Sequence, residues 1–240
     1  MSEVTTAGTK KGSVFEDILE VLWAPATVFD RARGNGIGMY LLVLSGVLVA
    51  VLFATKGLIQ PYIDANFDLT MQQAAAKGQA MPPEAVEAGR KFASYGFLGF
   101  SAIYVPATAV LFGLILFLAG KLVSAPLSFG QASLVATLST VPRVLGFLAM
   151  AVQGAVLDTS NVRSLFDASL GPARFLDPNK YSAAVMGLIA QVDVFNIWQF
   201  FICAIGIAVL ARKERSTGFI AALIAFAITT AFQLIPQALA

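Results

Sequence analysis

The 240-residue chain has no histidine, a single cysteine and few charges, with 16 Lys and Arg, 14 Asp and Glu, and 12% charged residues in all. Without histidine it lacks the commonest metal ligand and the commonest general base. Cys203 lies inside an apolar run, so neither a disulfide framework nor a cysteine-based metal site can be built, and it reads as a small core residue. The sequence also lacks a G-x-S-x-G elbow, a Walker A loop, an H-E-x-x-H pair and a kinase-type glycine loop. No catalytic residue, cofactor or metal is therefore expected. A net charge of +2 is too small to imply a nucleic-acid partner. Residues 1–13 are polar, and Lys10-Lys11 is not followed directly by a short apolar core, so no cleavable signal is expected.

What the chain has in abundance is apolar surface. It is 58% hydrophobic with a mean hydropathy of +0.78, whereas soluble domains average about 45–50% apolar and about 25% charged residues. The expectation is an all-α integral membrane bundle of five transmembrane helices with an N-terminal interfacial amphipathic helix. The spans fall at about 37–59, 94–123, 131–157, 193–211 and 218–239. Residues 1–12 read as a disordered cytoplasmic tail and 13–240 as one membrane domain. Ser13-Val-Phe-Glu16 fits a capping box, and Phe15, Ile18, Leu19 and Leu22 follow at helical spacing with Glu16, Asp17 and Glu20 opposite. Pro25 suits the first turn of a second short helix. Trp23 and Phe29, with Arg31 and Arg33, read as membrane-interface anchors: aromatic rings at headgroup depth and cations toward anionic lipid.

Gly46, Ala50 and Ala54 on the first span, and Ala221, Ala225 and Thr229 on the fifth, recur every four residues and make faces that another helix can approach. Residues 60–91 read as a polar loop holding short helices near 71–76 and 84–92, and 158–180 as a second polar loop before a short amphipathic piece at 181–190. Pro106 predicts a kink in the second span. Gln233, Pro236 and Gln237 read as headgroup-level residues. Arg212, Lys213 and Arg215 crowd the shortest loop, which predicts a cytoplasmic N-terminus and an outward C-terminus.

The third span carries Pro142 and Arg143 near its middle. Counted from Gln131, Arg143 lies about 18 Å into the membrane, where a charge costs between about 2.5 and 17 kcal/mol depending on how far it is relieved. Something must receive it: Asp193, Asp158, or backbone carbonyls freed by Pro142 and Pro106. Asp193 alternatively caps the fourth span, worth about 0.5–2 kcal/mol, and Trp198 follows one turn later. Pro142, Arg143, Asp193 and Trp198 form the candidate intramembrane polar site.

Several segments resemble the Yip family, the Rab-interacting polytopic membrane proteins and their bacterial relatives. They are Ile18-Leu-Glu-Val-Leu-Trp-Ala-Pro25 with Phe29, Leu127-Ser-Phe-Gly-Gln131, Ser139-Thr-Val-Pro142 and Asp193-Val-Phe-Asn-Ile-Trp-Gln199 leading into Gly206. The resemblance covers residue 15 onward. It implies a five-helix domain with a cytosolic N-terminus and no enzymatic activity. The long N-terminal region of trafficking members is missing, which favours the bacterial branch and an inner-membrane location over small-GTPase binding. No residue with a catalytic or binding role is implied.

Two functions follow as expectations. One is a non-catalytic scaffold or accessory subunit for other membrane proteins, such as an export complex or trafficking machinery, with the bilayer and either other integral membrane proteins or a second copy as partners. The alternative is a small transporter or permeation-related protein with a polar site around Arg143. Membrane shaping by residues 13–34 is a third.

Overall fold

The computed structural model describes residues 12–239, with side chains described as far as residue 235. Residues 1–11 of the expected 1–12 tail, and Pro236 and Gln237 as headgroup-level side chains, lie outside the described residues. The chain forms α1 (Val14–Glu20), α2 (Pro25–Ala32), α3 (Gly38–Ala76), α4 (Pro83–Leu122), α5 (Phe129–Ser139), α6 (Val141–Val156), α7 (Ala183–Ile189), α8 (Val194–Ala211) and α9 (Arg215–Leu239). Five spans result, because α5 and α6 run on as one crossing from Phe129 to Val156. Both expected capping boxes form, Ser13 with Glu16 and Ser128 with Gln131.

The polar segment at 60–91 is not a loop. α3 continues through Pro61 to Ala76 and α4 starts at Pro83, which leaves only 77–82 as the turn. At about 1.5 Å per residue the two helices are about 58 and 60 Å long, against a hydrocarbon core of about 30 Å. The antiparallel pair therefore projects from the bundle as a stalk. Outside lipid it is held by polar contacts between the helices: Arg90 pairs with Asp68 at 2.5 Å and lies over the Phe67 ring, and Gln60 donates to Ser94 at 2.7 Å. α4 likewise runs unbroken through Pro106.

α8, only 18 residues long, sets the thickness of the bundle. The remaining elements can be placed by their level along it. On the stalk side, segment 157–193 is tied down: Gln153 donates to the Ala168 carbonyl at 3.0 Å, Arg174 donates to Gln153 at 2.5 Å, and Arg163 pairs with Asp167 at 2.6 Å. In that pair the cation of Arg163 is favoured by its hydrogen bond to Asp167, which raises its pKa.

α1 and α2 form a hairpin whose α2 arm packs lengthwise on α8 while α1 rests on α3. The Leu22 carbonyl accepts from Trp198 Nε1 at 3.1 Å, and the Phe29 ring covers Gly206, where a Cβ would sit 2.6 Å from it. Arg33 donates to the carbonyls of Val209 and Leu210, both at 2.8 Å. Residues 22, 29 and 33 thus lie level with 198, 206 and 210, so α2 runs parallel to α8 almost residue for residue. Arg33 supplies donors to the last carbonyls of α8, of which Val209 also accepts from Arg212 N–H at 3.2 Å.

The arms of the hairpin meet at Asp17, which is 1% exposed. It accepts from Arg31 Nε at 2.5 Å and from the Tyr40 hydroxyl, while Arg31 also pairs with Glu20 at 2.6 Å. Burial disfavours the Arg31 cation, but the hydrogen bonds to Asp17 and Glu20 outweigh it and its pKa is raised. Phe15, Leu19 and Trp23, spaced by four, are instead exposed at 58%, 44% and 70%. The expected polarity of α1 is therefore partly inverted: Asp17 faces protein, and an apolar stripe faces outward where lipid can solvate it. Of the four expected interface anchors, Phe29 is wholly buried, Arg31 is held by two acids, Arg33 caps α8, and only Trp23 projects outward.

The two small-residue faces have different fates. Ala221 and Ala225 are buried where α9 meets its neighbours, whereas Gly46, Ala50 and Ala54 are exposed, with nothing within 4 Å of a Cβ at Gly46.

Candidate functional site

The crossing formed by α5 and α6 breaks at Thr140, because Pro142 brings no N–H to the ladder and sits in the first turn of α6, where none is needed. The break is internally satisfied. Thr140 and Thr137 turn their hydroxyls back onto the carbonyls of Ala136 and Ser133, each at 2.8 Å, and Arg143 N–H reaches the Thr140 carbonyl at 2.9 Å. The backbone is therefore no acceptor for the Arg143 side chain. That side chain turns toward α8 and donates from Nη1 to Asn196 Oδ1 at 2.9 Å. Asn196 is held in turn by its own donation to the Ala190 carbonyl at 3.2 Å.

None of the expected acceptors receives Arg143. Asp193 caps α8, accepting from Phe195 N–H at 2.9 Å, and also accepts from Ser169 Oγ at 2.8 Å and Leu170 N–H at 2.7 Å. Asp158 accepts from Ser160 N–H at 2.9 Å in an exposed turn, a bond that lowers its pKa. Among the described residues no carboxylate lies within ion-pair distance of Arg143. Its single side-chain partner is neutral.

The guanidinium forms part of the wall of a cavity of about 680 Å³ between α4, α6, α8 and α9. Tyr104, Thr108, Gln191, Gln199, Thr229 and Gln233 contribute its polar groups. Gln199 is 5% exposed, and its side-chain oxygen is buried without a hydrogen-bond partner. Gln191 donates to Gln233 at 3.2 Å. Leu111, Phe112, Leu114, Ile115, Phe226 and Phe232 make the apolar wall, and the edge-to-face pair of Phe112 and Phe226, 5.4 Å between centroids, joins α4 to α9. Leu111, Leu114 and Phe232 are also exposed on the outer surface, so the space communicates laterally between α4 and α9.

The level of the cation follows from α8. Asn196 is three residues from the Asp193 cap, or about 5 Å along the axis. The long arginine side chain thus carries its charge toward the stalk-side boundary. Gln199 lies one turn deeper.

The four residues expected as one polar site therefore separate. Arg143 faces the cavity, Pro142 makes the break that aims it, Asp193 caps α8, and Trp198 holds the hairpin tip. Asn196, Gln191 and Gln199 complete the surroundings of Arg143. Asn196 and Gln199 carried a legible signal, two amides spaced by three in an otherwise apolar span. No protein-family model, curated protein or solved structure matches the chain.

Proposed function

We propose that this integral membrane protein is a non-catalytic binding protein that takes a ligand from the bilayer into the cavity around Arg143. One observation carries the reading: a guanidinium within a membrane bundle faces a cavity of ligand-binding size with a neutral asparagine as its side-chain partner. The guanidinium is half-buried near the stalk-side boundary and its one side-chain partner brings no counter-charge, so an anionic group can join it there without displacing a carboxylate. A small carrier or permeation-related protein is the wider class to which such a site belongs. Native mass spectrometry from mild detergent tests it. The wild-type protein should retain a membrane-derived small molecule, and Arg143→Gln should lose it while keeping its fold. Equal retention by both proteins, or by neither, would refute the reading.

A scaffold or accessory role, with other membrane proteins or a second copy as partners, is the second reading. It is supported by the α3–α4 stalk and by the uncovered Gly46, Ala50 and Ala54 face, and it agrees with the Yip resemblance and the bacterial inner membrane that this implies. In both readings the cluster Arg212, Lys213 and Arg215 faces the cytoplasm and the stalk points outward.

A further inference from the structure

We infer that the ligand is an acyl-chain amphiphile with an anionic head, bound with its head at Arg143 and its chain along the α4–α9 wall. The inference rests on the reading above, since it specifies what enters the same cavity. Three features converge on this chemistry.

The first is the charge. Arg143 has one neutral acceptor at Nη1, and its other N–H groups have no protein partner among the described residues. A carboxylate or phosphate oxygen would supply the missing counter-charge, and guanidinium geometry matches either. The second is Gln199. Its buried side-chain oxygen lacks a donor, and a hydroxyl on the ligand head would provide one; turned over, the amide would offer N–H to an anionic oxygen. Leaving such a group unpaired is unfavourable, so the site is more complete with a polar head than without one.

The third feature is the arrangement along the membrane normal. Gln191 and Gln233, toward the stalk-side boundary, line the cavity with Arg143, while Leu111, Leu114 and Ile115 continue the wall along α4 away from that boundary. A head at headgroup level and a chain in the hydrocarbon reproduce this gradient. A free inorganic anion would satisfy Arg143 but leave the aromatic and aliphatic wall uncovered. The lateral communication between α4 and α9 gives a membrane-dissolved molecule a route that avoids water.

The test uses the full chain, delipidated in neutral detergent, with binding measured by native mass spectrometry and thermal shift. The probes are oleate, dioleoylphosphatidylglycerol, dioleoylphosphatidylcholine, monoolein and inorganic phosphate. Oleate or dioleoylphosphatidylglycerol should bind and raise the melting temperature, while monoolein binds about tenfold to a hundredfold more weakly, the worth of a hydrogen bond to a charged group. Oleate alone would assign a carboxylate head and the glycerophospholipid alone a phosphate head. Arg143→Gln should abolish the preference for anionic over neutral heads, and Arg143→Lys should restore part of it. Thr230 lines the same cavity from α9; Thr230→Trp, which fills the space and leaves Arg143 in place, should reduce binding of every amphiphile and keeps the site testable should the arginine variants fail to fold.

If monoolein and phosphatidylcholine bind as well as the anions and Arg143→Gln changes nothing, the anionic head is refuted while an intramembrane binding site survives. If inorganic phosphate alone gives the full shift and the amphiphiles add nothing, the membrane source is refuted. If no probe binds and Thr230→Trp has no effect on retained lipid, this inference and the binding-protein reading fall together.

Discussion

Removing the Asp17 carboxylate would leave the Arg31 guanidinium between the arms of the α1–α2 hairpin with Glu20 as its remaining acid. Breaking a fully buried pair costs about 3–5 kcal/mol; because Glu20 persists and the Arg31 side chain keeps 15% of its exposure, a loss of about 2–3 kcal/mol is expected for Asp17→Ala. Asp17→Asn, which still accepts from Tyr40, should lose less. Thermal unfolding in detergent measures both, and an unchanged midpoint for Asp17→Ala would show that the network does not hold the hairpin. Asp17 also marks where residue-level legibility ended. Helical spacing identified which α1 residues share a face, but not that the apolar stripe meets lipid while the acid meets protein. For Arg143 the need for an acceptor was legible from depth and charge. Its acceptor was signalled only weakly, by an uncharged amide in an apolar span, and the more conspicuous Asp193 is spent on the N-terminus of its own helix.

At the scale of elements, the parallel run of α2 beside α8 places the hairpin tip level with Trp198, twelve residues from Leu210 and so about 18 Å from that end of α8. Trp23, exposed at the tip, should therefore lie among acyl chains and not at headgroup depth. In vesicles containing lipids brominated near the middle of the acyl chain, tryptophan fluorescence should be strongly quenched, and Trp23→Phe should remove most of the quenching. Gly206→Val, which drives a side chain into the Phe29 ring, should cost about 1–3 kcal/mol by overpacking and move Trp23 toward the surface. Deep quenching that survives Gly206→Val would mean that α2 is not seated by this contact. The hairpin's two short helices were legible from their capping box and from Pro25. Their packing was not, since it depends on a glycine 177 positions away from the phenylalanine that covers it. The stalk was missed for a different reason: residues 60–91 read as a loop because they are polar, yet Pro61 is accommodated inside α3, Pro82 is the residue before α4 and Pro83 opens it.

For the molecule as a whole, the five crossings were legible because hydrocarbon demands long apolar helices; α8 and α9 keep within a few residues of their expected limits, whereas α3 and α4 run on past theirs into the stalk. Their arrangement sends the stalk turn at 77–82 to one side of the bundle and the Arg212–Arg215 turn to the other, because α4, the α5–α6 span and α8 cross between them. Which face is cytoplasmic rests on the charge asymmetry, and this is directly measurable. Cys203 is buried and should be silent toward a membrane-impermeant maleimide, so single cysteines can be introduced into the natural sequence. Gln79→Cys at the stalk turn should label in intact cells, and Lys213→Cys only after permeabilisation. The reverse pattern would overturn the orientation and bring the Arg143 cavity to the cytoplasmic leaflet. Labelling of both from one side would contradict the odd number of crossings between them, and with it the continuity of α5 and α6 as one span. The orientation also decides which leaflet supplies the amphiphile, since Arg143 lies near the stalk-side boundary: an outward stalk means that the head is drawn from the outer leaflet.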